Sequence, residues 1–383
     1  MAMVDVVVVG CGPAGATLAA LLATRGVSVV VLEKSTFPRD KLCGEFLSTE
    51  TLALLERAGC RDAILAQSPA RMTATRFTGA SGVSFTSALP GTALGLSRFA
   101  LDTVLMEHAR ARGANIVTAA TVTKITRAND DFEVMYRKED IETAVRARFV
   151  VGSHGRRTRL DRTLARPFAA GTSPFFGFKA HQRVSDDTAG QHTRDALNGT
   201  VEVHCFSGGY CGLALVEAGA VNACMLLDKR RLVGKVDWLT VREEITKRNP
   251  ALAARFAGLR DDGSEVQAVA QIPFVMKEQH RDGVFFVGDA AGMIAPVAGD
   301  GQAMAIDSAH LLAPILLTAL TRSGDDGTRQ WQSAWRQRYR TRLRVGLALQ
   351  TMLLREGVAD HALRLASTFP ALGRAFIAYT RGD

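Results

Sequence analysis

Apolar positions open the chain as a block. Val4 to Val9 is broken only by Asp5. The glycine-rich segment Gly10-Cys11-Gly12-Pro13-Ala14-Gly15 follows, and an Ala/Leu-rich stretch to Gly26 leads into a second run, Val27 to Leu32. β-Branched runs suit strands buried on both faces, and small aliphatic residues suit a helix packed closely on a sheet. Gly26 stands where a helix ends. The pattern predicts strand, turn, helix, strand.

Beyond Glu33, Lys34 to Ser48 mixes charge, proline and glycine and reads as an ordered loop. An amphipathic helix through Leu52, Leu55 and Ala58 comes next. Thr73–Phe77 and Val83–Phe85 predict a hairpin, Leu96 to Arg112 a helix, and Ile116 to Ile125 a strand. A further hairpin pairs Phe132–Tyr136 with Val145–Val151 and ends in Gly152-Ser153-His154-Gly155. Longer alternating strands follow at Phe175–Val184, Thr200–Phe206, Tyr210–Glu217 and Ala220–Asp228, then a polar helical connection from Val241 to Phe256. Val284 to Val287 returns to a buried strand that delivers Asp289 to a turn, and Gly301 to Leu320 is a long apolar helix. Residues 323–327 read as a loop and the tail from Thr328 as helical. The fold class is α/β: a discontinuous Rossmann-like nucleotide-binding domain (1–70, 97–165, 264–320), a second antiparallel β-sheet domain for substrate (71–96, 166–263) and C-terminal helices (321–383).

The chain has 383 residues, 47% apolar and 22% charged, as in a water-soluble globular protein. Apolar runs stop short of the about 18 residues of a membrane span, and the N-terminus enters a strand at once, so a cytoplasmic protein is expected. Six cysteines without C-x-x-C spacing exclude a sequence-readable zinc site or disulfide framework. The net charge of +9 favours anionic partners. Dispersed arginines without a recognition motif point away from nucleic acid.

The glycines divide their tasks. Gly10 serves a tight turn, Gly12 lets the backbone approach a pyrophosphate, and Gly15 lets helix meet strand. The helix N-terminus offers N–H groups and a positive dipole end to that anion. Glu33 closes the second strand, where a carboxylate accepts from an adenosine ribose.

Three separated pieces, Gly10 to Gly15 with Glu33, the Arg98 helix start, and Val287-Gly288-Asp289 with Pro296 to Gly301, resemble the FAD-dependent monooxygenases of the p-hydroxybenzoate hydroxylase type. Phe37-Pro38-Arg39 running into Cys43-Gly44-Glu45 looks most like the branch of geranylgeranyl reductases, flavin halogenases and natural-product oxygenases. The resemblance implies non-covalent FAD with its adenosine on Gly10, Gly12, Pro13, Ala14, Gly15, Ala16 and Glu33. It implies further contacts from Lys34, Arg39, Cys43, Gly44 and Gly288, and the ribityl and pyrophosphate at Arg98 and Asp289. Adenine meets the backbone of Val122, and the isoalloxazine meets Gly299, Asp300, Gly301, Gln302 and Ala303. Arg98 is otherwise odd at a helix start, and a bound phosphate would explain it. His154-Gly155 stands where many such hydroxylases carry Asp-Gly, which leaves NAD(P)H and a separate reductase both open as electron source.

Catalytic candidates are Cys43, Lys179, His181 and His204. Lys179 and His181 share one strand face and Glu202, His204 and Phe206 another; if these faces meet over the flavin they supply proton donors, and otherwise they are a polar sheet face. Trp331, Trp335, Tyr339, Leu343 and Leu347 predict a helix face packed on the core, with a lid or a basic docking surface as the alternative. The expected activity is oxygenation of a mostly apolar natural product, free or carried on an acyl carrier, through a flavin C4a-hydroperoxide. The alternatives are a double-bond reductase, suggested by Cys43, and a flavin-binding scaffold without turnover. Peripheral membrane contact is a further alternative for the basic balance. Halogenation is disfavoured, since the strand Tyr210 to Leu215 lacks the tryptophan-rich segment of flavin halogenases.

Overall fold

The computed structural model describes residues 3–231, 236–322, 326–355, 357–369 and 371. Residues 323–325 of the expected loop and most of the tail from 370 lie outside them. Two sheets organise the molecule. In the first, strands at 280–281, 284–286, 141–152, 3–9, 29–32 and 115–117 lie side by side in that order, and the strands Thr121–Ala128 and Asp131–Lys138 extend it from Ile141–Gly152. Met3–Val9 pairs in parallel with both Val29–Leu32 and Ile141–Gly152. With neighbours on both sides and helices over its faces, Val6 to Val9 are buried in an unbroken run, which is why it carries no alternation. The helix Pro13–Ala23 packs on the helices Arg98–Ala111 and Gly301–Thr321.

Gly301–Thr321 corrects the reading of apolar runs. Among the described residues it is one helix long and apolar enough to cross a membrane, and 61% of its apolar window is buried inside the protein.

The second sheet runs 259–261, 175–184, 221–228, 209–215, 199–206, 70–78, 84–95 and 46–47, with 267–269 beside 175–184. It is antiparallel except where Gly199–Phe206 lies parallel to Ala70–Thr78, strands far apart in the chain. Residues directly opposite in a ladder share a face. Lys179 opposes Cys224, which opposes Gly212, which opposes Val203, which opposes Phe77. Phe178, Met225, Cys211, His204 and Thr78 form the neighbouring row and point the other way.

That other face is covered by the helices Thr188–Leu197, Trp238–Arg248 and Pro250–Ala257. Thr188–Leu197 was not legible as a helix because it is largely polar: it buries only Gly190, Thr193 and Leu197, and its start is fixed by Asp187, which accepts from the Gly190 N–H at 2.8 Å. Along the C-terminal helix Thr328–Leu353, Trp331, Trp335, Tyr339 and Leu343 are buried, so the stripe packs on the core as far as Leu343, whereas Leu347 is exposed.

Candidate functional site

One cavity of about 770 Å³ lies between the two sheets. Gly12, Pro13 and Ala14 border it at one end, where the first strand hands over to its helix. Gly10 has φ 106°, and a Cβ there would sit 2.7 Å from the Ser153 carbonyl oxygen. A Cβ on Gly15 would overlap the Gly10 carbonyl oxygen. These two positions tolerate only glycine, whereas Gly12 faces open space bounded by Arg98 Nη2 at 3.8 Å.

Arg98 reaches the same space. It donates to Asp102 from Nε and Nη2, both at 2.7 Å, and Asp102 also receives Arg39 at 3.2 Å. Burial works against the Arg98 cation, and the Asp102 carboxylate one turn along more than offsets it, raising Arg98 above the ordinary arginine value. The oddness of a cation at a helix start is therefore answered within the protein by an i,i+4 pair. Glu33 accepts from the N–H of Cys11 at 2.8 Å and of Ser35 at 2.9 Å. Burial alone would raise its pKa; the Arg39 and Lys41 charges and these donors lower it instead. Arg39 is buried, yet its Nε and Nη1 have no partner among the described residues. Burial and the charges of Arg39 and Arg98 press the Lys41 amine down to about 8.

Asp289 approaches from the far end of the sequence, on a 3₁₀ turn at Gly288–Ala290. The buried Lys277 amine donates to the carbonyl oxygens of Asp289 at 2.6 Å and Arg156 at 2.5 Å, which ties the turn to the loop after Gly152. Burial pushes Lys277 down to about 8. Gly299, Gly301 and Gln302 border the cavity where the apolar helix begins, and Gln302 Nε2 donates to Cys43 Sγ at 3.1 Å. From the second sheet, Thr75, Phe77, Val201, Val203, Gly212 and Cys224 supply a mostly apolar wall.

Residues 3–341 match the family profile described as FAD binding domain. The chain belongs to this FAD-binding family. Among relatives, the conditioned medium factor receptor 1 of Dictyostelium discoideum is 24% identical and covers 98% of this chain and 75% of its own length. The menaquinone reductase of Mycolicibacterium smegmatis is 26% identical, over 86% and 79%. The rifampicin monooxygenase of Rhodococcus hoagii is 26% identical, over 81% and 63%. The solved structure of the myxobacterial chondrochloren halogenase CndH has a TM-score of 0.78 at 20% identity, covering 100% of this chain and 94% of that one, a likeness of fold.

Of the residues expected around FAD, the cavity gathers Gly12, Pro13, Ala14, Lys34, Cys43, Gly44, Arg98, Gly288, Asp289, Gly299, Gly301 and Gln302. Gly10, Gly15, Ala16, Glu33 and Arg39 support the turn from behind. Three further expected residues, Asp300, Ala303 and Val122, also lie off the cavity wall. Asp300 is fully buried and off the cavity wall, because its carboxylate pairs with Arg342 of the C-terminal helix at 2.8 Å. Ala303 is buried one position further along and also off the wall. Val122 lies opposite Tyr136 in a hairpin and does not border the cavity.

The catalytic candidates also separate. Cys43 borders the cavity; Lys179, His181 and His204 do not. Lys179 and His181 lie on the cavity side of their strand, screened by Glu45: Lys179 Nζ donates to Glu45 Oε1 at 2.5 Å and to Asp40, and His181 Nε2 lies 2.6 Å from Glu45 Oε2. His204 is on the opposite face, 2.8 Å from Thr78 Oγ1 and 3.1 Å from Glu202, which also binds Arg255 and Arg76. The two faces therefore do not meet, since the register turns one row of side chains away.

Sequence reading missed Glu45 and Asp102. Asp102 had a readable signal, its spacing from Arg98. Glu45 had none: it is fully buried at φ 53°, a backbone state forced by the loop. His154 borders the cavity and its Nε2 lies 3.0 Å from Asp161, which also holds Arg166 at 2.8 Å. Burial opposes the Asp161 charge, but the hydrogen bonds from His154 and Thr158 and the Arg166 charge bring it down to about 2.

Proposed function

We propose that this cavity holds FAD non-covalently and oxygenates a mostly apolar organic molecule seated against the second sheet. The observation that carries the reading is the convergence of the Gly12 turn, Arg98, the Asp289 turn and the Gly299–Gln302 segment on one cavity whose remaining wall is apolar. Gly12 to Ala14 and Arg98 suit a pyrophosphate. Glu33 and Asp289, as acceptors, suit ribose and ribityl hydroxyls. The start of the helix at Gly301 turns backbone N–H groups toward the cavity, where they favour developing negative charge. FAD, when bound, supplies two-electron redox chemistry; the protein orients substrate and limits water.

Electrons come from NAD(P)H or from a separate reductase. The apolar wall and the relative named rifampicin monooxygenase support oxygenation. Cys43 on the wall and the relative named menaquinone reductase favour a second reading, reduction of a double bond or quinone. No tryptophan borders the cavity among the described residues, which supports the reading over halogenation. All six cysteines are free, consistent with a reducing compartment. The exposed arginines Arg329, Arg336, Arg340 and Arg344 along the C-terminal helix would suit an acidic acyl carrier presenting the substrate.

The decisive experiment is the absorption spectrum of purified protein with identification of the released chromophore, then turnover with and without O₂. Oxygen-dependent product formation is expected. Substrate-dependent oxidation of the reduced protein without O₂ would replace oxygenation by reduction, and a protein that stays colourless with added FAD would end both readings.

A further inference from the structure

Glu45 and His181 join two cavities. Glu45 borders the main cavity beside Cys43 and Gly44. His181 borders a second pocket of about 450 Å³, with Asp237, Trp238, Asp261, Asp262 and Ser264, at the edge of its strand between the pairings with 259–261 and 267–269. Between the two runs one contact, His181 Nε2 to Glu45 Oε2 at 2.6 Å, and the Glu45 carboxylate is sealed from solvent. We propose that His181 and Glu45 form a proton relay between the outer pocket and the redox centre of the main cavity, a reading that rests on the FAD assignment above.

Either oxygenation or double-bond reduction consumes a proton in a cavity that the sheets enclose. In the relay, the His181 imidazolium hands its Nε2 proton to Glu45 Oε2, and a turn of the ring presents the bared nitrogen to the outer pocket, where it recovers a proton from water. Glu45, briefly a neutral acid, releases its proton to the acceptor in the main cavity and returns to carboxylate. No electron pair leaves the protein groups, and one proton enters for each one delivered. The surrounding charges suit both ends. Lys179, held also by Asp40, and the Arg98 N–H at 2.7 Å both donate to Glu45 Oε1, which leaves Oε2 to His181. Burial disfavours the His181 cation, but the hydrogen bond and charge of Glu45 more than offset this, and Asp40 adds to them against Lys179, so its pKa is raised. On the outer side Asp262 feels His181 and Arg183, and Asp261 is held by Gln182 and Arg242.

The test uses the flavin-loaded protein. Reduced holoprotein is oxidised by ferricyanide in weak buffer with a pH-indicator dye; each reduced flavin gives two electrons to two ferricyanide ions and releases one proton. Dye and flavin signals should coincide in the wild type. In Glu45→Gln and His181→Ala the dye signal should lag by roughly 100-fold. Added imidazole should restore His181→Ala and leave Glu45→Gln slow. Coincident signals in both variants at wild-type flavin content would overturn the relay and leave the FAD assignment standing. A wild type that binds no flavin would overturn both. Because Glu45→Gln can disturb the loop, His181→Ala with imidazole rescue decides if only that variant keeps its flavin. Independently of flavin, the NMR titration midpoint of His181 should fall in Glu45→Gln; an unchanged midpoint would also overturn the relay.

Discussion

The second sheet buries a histidine–carboxylate pair on each of its faces, and the two pairs do different work. On the helix-covered face, His204 and Glu202 are fully sealed, and Arg76, Arg255 and Thr78 take up the remaining valences. On the cavity face, the histidine belongs to the sheet and the carboxylate to the loop before the strand at 46–47, and a cavity lies beyond each. The same two residue types serve as a bolt in one place and a gate in the other. What separates them is the surroundings, a closed ring of charges against two accessible spaces.

The largest expected effect would break the comparison if it failed. Glu202→Ala leaves His204, Arg76 and Arg255 without their shared carboxylate, and should destabilise the protein by about 3 to 5 kcal/mol in denaturant unfolding. The folded fraction should keep its full flavin content. Loss of flavin from a stable variant would mean that the faces are not independent.

Acid should act on the same pair. Burial opposes the Glu202 charge, but the His204 and Arg255 hydrogen bonds and charges bring it from 4.5 down to about 2. The stability it contributes is complete above its unfolded value and is lost as pH falls through the folded one, about 3 kcal/mol between roughly pH 4.5 and 2. Glu202→Gln should remove that acid dependence, as followed by unfolding midpoints across this range.

Asp289→Ala sharpens the cavity side. Removing an acceptor for ribityl hydroxyls should weaken flavin retention by about 1.5 to 3 kcal/mol, read from flavin content after gel filtration and a binding titration. Undiminished retention would detach Asp289 from the cofactor.

The smallest effect lies in the alkaline direction. His181 is raised, so its stabilisation is complete below the unfolded histidine value and fades as pH rises through the folded one. Glu45→Gln should therefore destabilise more near pH 5 than near pH 9, in chemical unfolding at each pH. Equal losses would reduce the pair to a fastening like its counterpart.

The glycine turn, Glu33 and the Asp289 turn were legible because each carries a local constraint. Gly10 must hold a positive φ and Gly15 must admit a neighbouring carbonyl, whatever the rest of the chain does. Asp300 was not legible. It stands inside a segment whose glycines do border the cavity, and only Arg342, 42 residues further along, decides that its carboxylate turns away. The tryptophan stripe was readable as a packed face because its period repeats over several turns.

By itself the sequence determined that a buried parallel strand ends in a glycine turn, that an acid and a distant aspartate accompany it, and that a second sheet stands alongside. A strand's alternation also says which residues keep company, His181 with Lys179 and His204 with Glu202. Only the tertiary structure decided which company faces the cavity. Register between strands far apart in the chain, such as His204 opposite Thr78, sets the face of every side chain at once, and no stretch of a single strand contains that information.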